Sequence, residues 1–145
     1  MRIRKMNIND IEQVVTIENE SFSMPWSRGS FVTSLGDTNQ IFLVAEEEGL
    51  IIGYAGIWNI VGEGNITNIA VKKEYQKQGI GNKILRELLL RSEAMNVYDF
   101  TLEVRKSNVG AIRLYESLEF KPVGYRKNYY EKPLEDGLIM WYHKN

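Results

Sequence analysis

The sequence predicts a mixed α/β (α+β) protein, a mostly antiparallel seven-stranded sheet flanked by about four helices in the order β-α-α-β-β-β-α-β-α-β-β. Three observations lead there. Runs rich in Ile, Val, Phe, Tyr and Trp recur at strand length; segments of helical period interrupt them; and some neighbouring strands are separated by a short turn while others are separated by a whole helix. Hairpins and crossovers must therefore share one sheet, whose apolar faces the helices cover.

Ile3 begins a short strand. Ile8, Ile11, Val14, Val15 and Ile17 then recur at helical spacing up to about Glu20. Residues 21–26 break that pattern. Ser27 has the hydroxyl an N-cap needs and opens a second, short helix carrying Phe31, Val32 and Leu35, closed by Gly36-Asp37. Residues 40–47 and 50–60 read as an antiparallel hairpin joined at Glu48-Gly49. A third strand of this group, 65–71, follows a turn at Gly62-Glu63-Gly64. From Gly79 the period lengthens: Ile80, Ile84, Leu85, Leu88 and Leu89 mark a long amphipathic helix ending near Met95-Asn96. In the strand 99–104, Phe100, Leu102 and Val104 share one face, so Glu103 points to the other. Asn108 caps a helix with the stripe Ala111, Leu114, Tyr115 and Leu118, and residues 121–129 and 138–143 are the last two strands, antiparallel partners across the loop between them.

With 145 residues, 43% of them hydrophobic, and no repeat or long linker, residues 1–145 are expected to form a single domain. The formal net charge is -1 and no long block of like charge occurs, which argues against direct grip on nucleic acid or on an anionic membrane. The first residues lead into an amphipathic segment, and nothing approaches the roughly 18 apolar residues of a membrane span, so a cytoplasmic protein is expected. The absence of cysteine excludes disulfides, thiolate metal sites and a cysteine acyl-enzyme. His143 is the only histidine; its spacing builds neither a Ser–His–Asp set nor a metal cluster, so it reads as a surface residue and no metal is expected.

The strongest chemical signal is Gln76-Lys77-Gln78-Gly79-Ile80-Gly81, between a strand and the long helix. Glycines at such a junction let main-chain N–H groups crowd around an anion, and the helix dipole favours negative charge there. A phosphate-bearing ligand is implied, with Lys72, Lys73, Lys77 and Lys83 close in sequence to screen it, although solvated surface lysines are the ordinary reading of each. It is not a dinucleotide fingerprint, because Ile84 stands where the third glycine belongs, and it is not a Walker A loop, because no hydroxyl follows Lys83.

Asn68-Ile69-Ala70-Val71 followed by Tyr75-Gln76-Lys77-Gln78-Gly79-Ile80-Gly81 resembles the acetyl-CoA motif of the GNAT superfamily of N-acetyltransferases. Leu102-Glu103-Val104-Arg105, the run Asn108 through Tyr115, and Gly124-Tyr125-Arg126 also look like segments of that family, so the likeness covers nearly the whole chain. More narrowly, Met24-Pro25-Trp26-Ser27, Asn128-Tyr129-Tyr130 and the ending Glu135-Asp136-Gly137-Leu138-Ile139-Met140 resemble the branch that acetylates the N-terminal alanine of a small-subunit ribosomal protein. Gly137 stands where that branch often has alanine.

The resemblance implies a GNAT fold with two splayed central parallel strands, 65–71 and 99–104, and acetyl-CoA as co-substrate in the opening between them. Main-chain groups of Ile69, Ala70 and Val71 would then hold the pantetheine arm and acetyl carbonyl. Lys77, Gln78, Gly79, Ile80, Gly81 and Asn82 would wrap the pyrophosphate, and Asn108 would reach the arm. It further implies Glu103 as general base, directly or through water, and Tyr115 as general acid. Position alone favours reading Glu103 as an exposed strand carboxylate paired with Arg105 or a lysine, and spacing alone favours Tyr115 as a core tyrosine; the resemblance reverses both. Trp26, Tyr129 and Tyr130 would frame the groove for a protein N-terminus, or pack under loops. Two other readings stay open: a GNAT enzyme acting on another N-terminus or a small amine, and a non-catalytic acyl-CoA-binding module.

Overall fold

A computed structural model of the protein describes residues 1–145. The strands are β1 (Arg2–Lys5), β2 (Gln40–Glu47), β3 (Leu50–Ile60), β4 (Glu63–Val71), β5 (Asp99–Arg105), β6 (Lys121–Tyr130) and β7 (Glu135–His143). The helices are α1 (Ile11–Ser21), α2 (Arg28–Leu35), α3 (Ile80–Glu93) and α4 (Val109–Ser117). All seven strands form one sheet in the order β1-β2-β3-β4-β5-β7-β6. Every pairing is antiparallel except β4 with β5, which is parallel because α3 carries the chain across between them. No helix is long and apolar enough to cross a membrane.

Both faces of the sheet are covered. On one, Ile80, Ile84, Leu85 and Leu88 of α3 and Tyr115 and Leu118 at α4 pack on Leu43, Ile52, Phe100, Leu102 and Val104. On the other, Ile11, Val14 and Ile17 of α1 and Phe31 of α2 pack on Phe42, Val44, Tyr54 and Ala70. Each such fully buried aliphatic side chain contributes about 1.5–3 kcal/mol by leaving water. The helical stripes and strand alternations in the sequence therefore map onto two distinct cores.

Local chemistry sets the element ends. Ser27 caps α2 by accepting from the Ser30 N–H at 3.1 Å, and Asn108 caps α4 by accepting from the Ala111 N–H at 3.1 Å. The β2–β3 hairpin turns at Glu48 and Gly49, both left-handed (φ 48° and 83°). The next turn differs from the sequence expectation. It is the pair Val61-Gly62 (φ 49° and 81°), so Glu63 and Gly64 already belong to β4 and the strand starts two residues before Asn65.

Two irregularities shape the sheet where it matters. Opposite the junction Gly56/Ile57 of β3, β4 carries an extra residue, Thr67, because Gly56 faces Asn68 while Ile57 faces Ile66. Near that bulge β3 is crowded: a Cβ on Gly56 would lie 2.2 Å from Cε1 of Phe42. Gly56→Ala is therefore expected to destabilise the protein by about 1–3 kcal/mol through overpacking, read as a lowered urea midpoint at unchanged slope.

Candidate active site

The parallel pairing of β4 and β5 lasts for three registers only, Glu63 with Asp99, Gly64 with Phe100 and Asn65 with Thr101. Beyond Asn65 comes the Thr67 bulge, and the two strands part. Bulges bend a strand and strengthen its twist, which is what the parting requires. The main chain of β4 is then paired on one side only. The Lys72 N–H donates to the Ile52 carbonyl at 2.7 Å, so by strand alternation Ala70 and Asn68 face β3 while Ile69 and Val71 turn their N–H and C=O groups into the gap. The Val71 carbonyl accepts there from Gln76 Nε2 at 3.0 Å.

A cleft of about 1290 Å³ follows the gap and is lined from both faces of the sheet. On the α3/α4 face it is lined by Ile69, Val71, Lys72, Lys73, Lys77, Gly79, Ile80, Gly81, Asn82, Asn108 and Tyr115, while Ala70 lines it from the α1/α2 face. Gln78 and Lys83, both candidates from the sequence, are exposed and lie outside the lining. Gly79 is the N-cap of α3 with φ 80°, a left-handed conformation that favours glycine, and Lys77 is also left-handed at φ 64°. No side chain caps α3 and no acidic residue sits in its first turn, so the first amides of the helix are free for an external anion. Gly81 packs tightly for a different reason: a Cβ there would lie 3.3 Å from Leu114 Cδ2 of α4, close enough that this side chain would have to shift by a few tenths of an ångström.

Glu103 and Tyr115 reach the same cleft from opposite sides. Leu102 and Val104 pack under α3 and α4, so alternation sends Glu103 to the α1/α2 face. Its side chain is 19% exposed, and the Arg126 Nε of β6 donates to Glu103 Oε1 at 3.1 Å. The partner is therefore Arg126, not Arg105 or a lysine. Arg126 is 55% exposed, which makes this a weak pair that an incoming cation can displace. Tyr115 packs its ring 6.0 Å from Phe120, and burial holds its hydroxyl well above the ordinary tyrosine pKa of about 10. Tyr130 also lines the cleft; burial first, then Tyr129 and Glu103, push its hydroxyl up to about 12 against the opposing pull of Arg105.

The α1/α2 side forms a groove with two rims. One is the 22–27 connector, contributing Phe22, Met24 and Trp26, and the other is the end of β6 with Tyr129, Tyr130 and Glu131. Trp26 lines the groove and packs its ring 5.3 Å from Phe31 and 5.9 Å from Phe42. Tyr129 is half exposed and stands edge-on to Tyr130 at 5.0 Å. His143 is exposed at the far end of β7, 2.6 Å from Asp99, away from the cleft.

A family model for the GNAT acetyltransferases matches residues 11–120. The chain belongs to the GNAT family. It is 40% identical to a Bacillus subtilis (strain 168) protein provisionally named a [ribosomal protein bS18]-alanine N-acetyltransferase, over 96% of this chain and 93% of that one. It is 35% identical to the Escherichia coli (strain K12) [ribosomal protein bS18]-alanine N-acetyltransferase, over 95% of this chain and 94% of that one. The crystal structure of the ribosomal-protein-S18-alanine N-acetyltransferase from Escherichia coli superposes with a TM-score of 0.90 at 32% identity, covering 98% of this chain and 92% of that one. The fold is thus the GNAT fold, and the chain is an N-acetyltransferase of a family that uses acetyl-CoA.

One residue of this GNAT site escaped the sequence reading. Glu18, in the last turn of α1, is 2% exposed. Its carboxylate accepts from the Trp26 N–H at 2.8 Å, from the Tyr54 hydroxyl and from Asn68 Nδ2 at 3.4 Å. It therefore ties the connector and α1 to β3 and β4 beside the gap. The signal was in the sequence, because Ile11, Val14 and Glu18 fall on one helical stripe, and an acid on an apolar stripe needs partners. Glu18→Ala leaves the Trp26 and Tyr54 donors without an acceptor and is expected to cost about 2–5 kcal/mol in denaturant unfolding. Tyr54→Phe, which removes one donor and keeps the ring, is expected to cost about 1.5–3 kcal/mol.

Proposed function

We propose that residues 1–145 act as one catalytic domain that acetylates the N-terminal alanine of a small-subunit ribosomal protein, bS18, in the cytoplasm, by direct transfer from acetyl-CoA. One observation carries the chemistry: where β4 and β5 part, the inward amides of Ile69 and Val71 lie in the cleft that Glu103 and Tyr115 enter from opposite faces. The acceptor class rests on the relatives from Bacillus subtilis and Escherichia coli, whose names specify that protein and that residue.

The residues present fit the coenzyme. The uncapped amides at Ile80, Gly81 and Asn82, with Lys77 beside them, suit a pyrophosphate, and Gly79 shapes that turn. The gap edge offered by the main chains of Ile69 and Val71 suits the amides of the pantetheine arm, which add to β4 much as a strand would, whereas the Ala70 main chain, expected from the sequence to share that task, is turned to β3 instead. Asn108 spends its Oδ1 on the α4 cap and keeps its Nδ2 for the arm.

An α-amine with pKa about 8 arrives mostly protonated at neutral pH. Glu103 takes its proton, directly or through water, after the ammonium displaces Arg126. The amine nitrogen then bonds to the acetyl carbonyl carbon as the carbon–sulfur bond breaks, and gives up its second proton to solvent; a solvent proton restores the Tyr115 hydroxyl once that group has protonated the sulfur. The N–H of Ile69 or Val71 stabilises the charge that develops on the carbonyl oxygen, a contribution of roughly 3 kcal/mol per donor. Tyr115, held protonated by burial, donates to the departing sulfur.

Peptides differing at the first residue, incubated with acetyl-CoA and mapped by mass spectrometry, are expected to gain one acetyl group on the α-amine, with alanine preferred. Acetylation of lysine side chains or free polyamines alone would replace this reading with that of a small-amine enzyme. Glu103→Gln should lower kcat by about 10²-fold or more, with acetyl-CoA affinity within about twofold in calorimetry. Tyr115→Phe should fold normally and lower kcat by at least about tenfold.

The sign of the pH dependence follows from the same groups. Rate should rise as pH passes through the amine pKa near about 8, and should not fall again up to about pH 10, because the Tyr115 proton is retained beyond its ordinary range. An alkaline limb below that pH that persists in Tyr115→Phe belongs to another group; one that vanishes there would show that Tyr115 ionises earlier than the buried hydroxyl allows.

A further inference from the structure

The two rims of the groove belong to segments far apart in sequence, the 22–27 connector and the 129–135 stretch of β6, β7 and the turn between them. One side chain joins them. Arg105, at the end of β5 and on the same alternation as Glu103, is 23% exposed. Its Nη1 donates to the Pro133 carbonyl at 2.8 Å and to Glu135 Oε1 at 3.2 Å. Its Nη2 donates to the Glu131 carbonyl at 2.7 Å and to the Ser23 hydroxyl at 3.3 Å. The guanidinium also lies 4.6 Å from the centroid of the Tyr130 ring. No other side-chain hydrogen bond or ion pair runs between these two segments, so the Ser23 bond is the sole polar tie across the groove.

We propose that Arg105 is a positioning residue for acceptor recognition, tying the two rims together and so fixing the width and shape of the groove that receives the protein N-terminus. This rests on the reading of that groove as the acceptor site. Only arginine meets the demand: a planar fork serves four acceptors in three directions while its face rests on Tyr130, whereas a lysine ammonium has three donors and no plane to stack. The coenzyme side is built from β4, the start of α3 and the Asn108 cap, and no side-chain hydrogen bond of Arg105 reaches them; only its main-chain carbonyl does, accepting from the Asn108 N–H at 2.9 Å, a bond that substitution of the side chain leaves in place. Glu135 anchors the fork in turn, its other oxygen accepting from the Ser107 N–H at 2.7 Å. Hydrogen bonding from Ser107, its side chain first and then its main chain, together with the Arg105 guanidinium, holds the Glu135 carboxyl below the ordinary range. Loss of Arg105 should therefore weaken the acceptor and spare the donor.

The test uses the whole chain, acetyl-CoA and an alanine-starting peptide. Arg105→Lys is expected to raise the peptide KM about tenfold, with kcat within about threefold and acetyl-CoA affinity within about twofold. Hydrogen exchange should quicken at both 22–27 and 129–135. A purely local structural role would quicken 129–135 alone and leave the peptide KM unmoved, and that result overturns the proposal, as does a collapse of kcat at unchanged KM or a parallel loss of acetyl-CoA affinity. If Arg105→Lys does not fold, Ser23→Ala decides, because it cuts only the tie across the groove: a peptide KM raised about threefold with faster exchange at 22–27 supports the proposal, and wild-type values overturn it. Should the wild-type protein acetylate no peptide at all, the proposed acceptor is wrong, while the exchange comparison still decides whether Arg105 holds the rims together.

Discussion

The structure depends on a pairing that stops. A parallel pair of strands in the middle of a sheet ordinarily satisfies its main-chain groups along its whole length, and here β4 and β5 do so for three registers before separating. Buried main-chain donors and acceptors without partners are costly, so a sheet opened in its centre holds together only if something else meets those groups. Part of the need is met within the chain, by Gln76 at the Val71 carbonyl. The remainder is an appetite for an extended ligand rich in amides, and the pantetheine arm of the coenzyme has that chemistry. The Thr67 bulge is the local device that makes the separation possible without unpairing β4 from β3.

The same opening explains how the two groups to which we assign proton transfer, though they come from different layers, can reach one space. In a closed sheet Glu103 and Tyr115 would be on opposite faces, divided by the main chain. With the strands apart, a carboxylate under the α1/α2 side and a hydroxyl under the α3/α4 side look into one space. Their surroundings differ in the way the proposed roles require. Glu103 is partly solvated and loosely held by an exposed arginine, while Tyr115 is packed among Phe120 and Leu118 and keeps its proton.

Most of the fold was legible because its elements obey simple periodicities. The stripes on α1, α3 and α4, the serine and asparagine caps, and the hairpin of β2 and β3 all follow from spacing and turn chemistry, and the hairpin strands run over the residues expected of them. The gap in the sheet was not legible from periodicity, since Ile66, Asn68 and Ala70 alternate with Thr67, Ile69 and Val71 whether or not a neighbour is present; only the family likeness supplied it. The turn before β4 was misread because three residues containing two glycines look like a loop, when Val61 had taken the left-handed position and released Glu63 and Gly64 to the strand. Arg126 as the partner of Glu103, the Glu18 anchor and the reach of Arg105 depend on which segments meet in space, over separations of 23, 36 and 82 residues. No local pattern carries that information.

Gly81 has a consequence beyond leaving the helix end bare. It brings α3 close against α4, where the tip of Leu114 lies 3.3 Å from where a side chain would begin, and Leu114 is the immediate neighbour of Tyr115. The proposed anion cradle and the proposed proton donor are thereby joined through one packed contact. Their spacing is a fixed ruler laid along the coenzyme, and a longer or shorter arm would deliver its sulfur to the wrong mark.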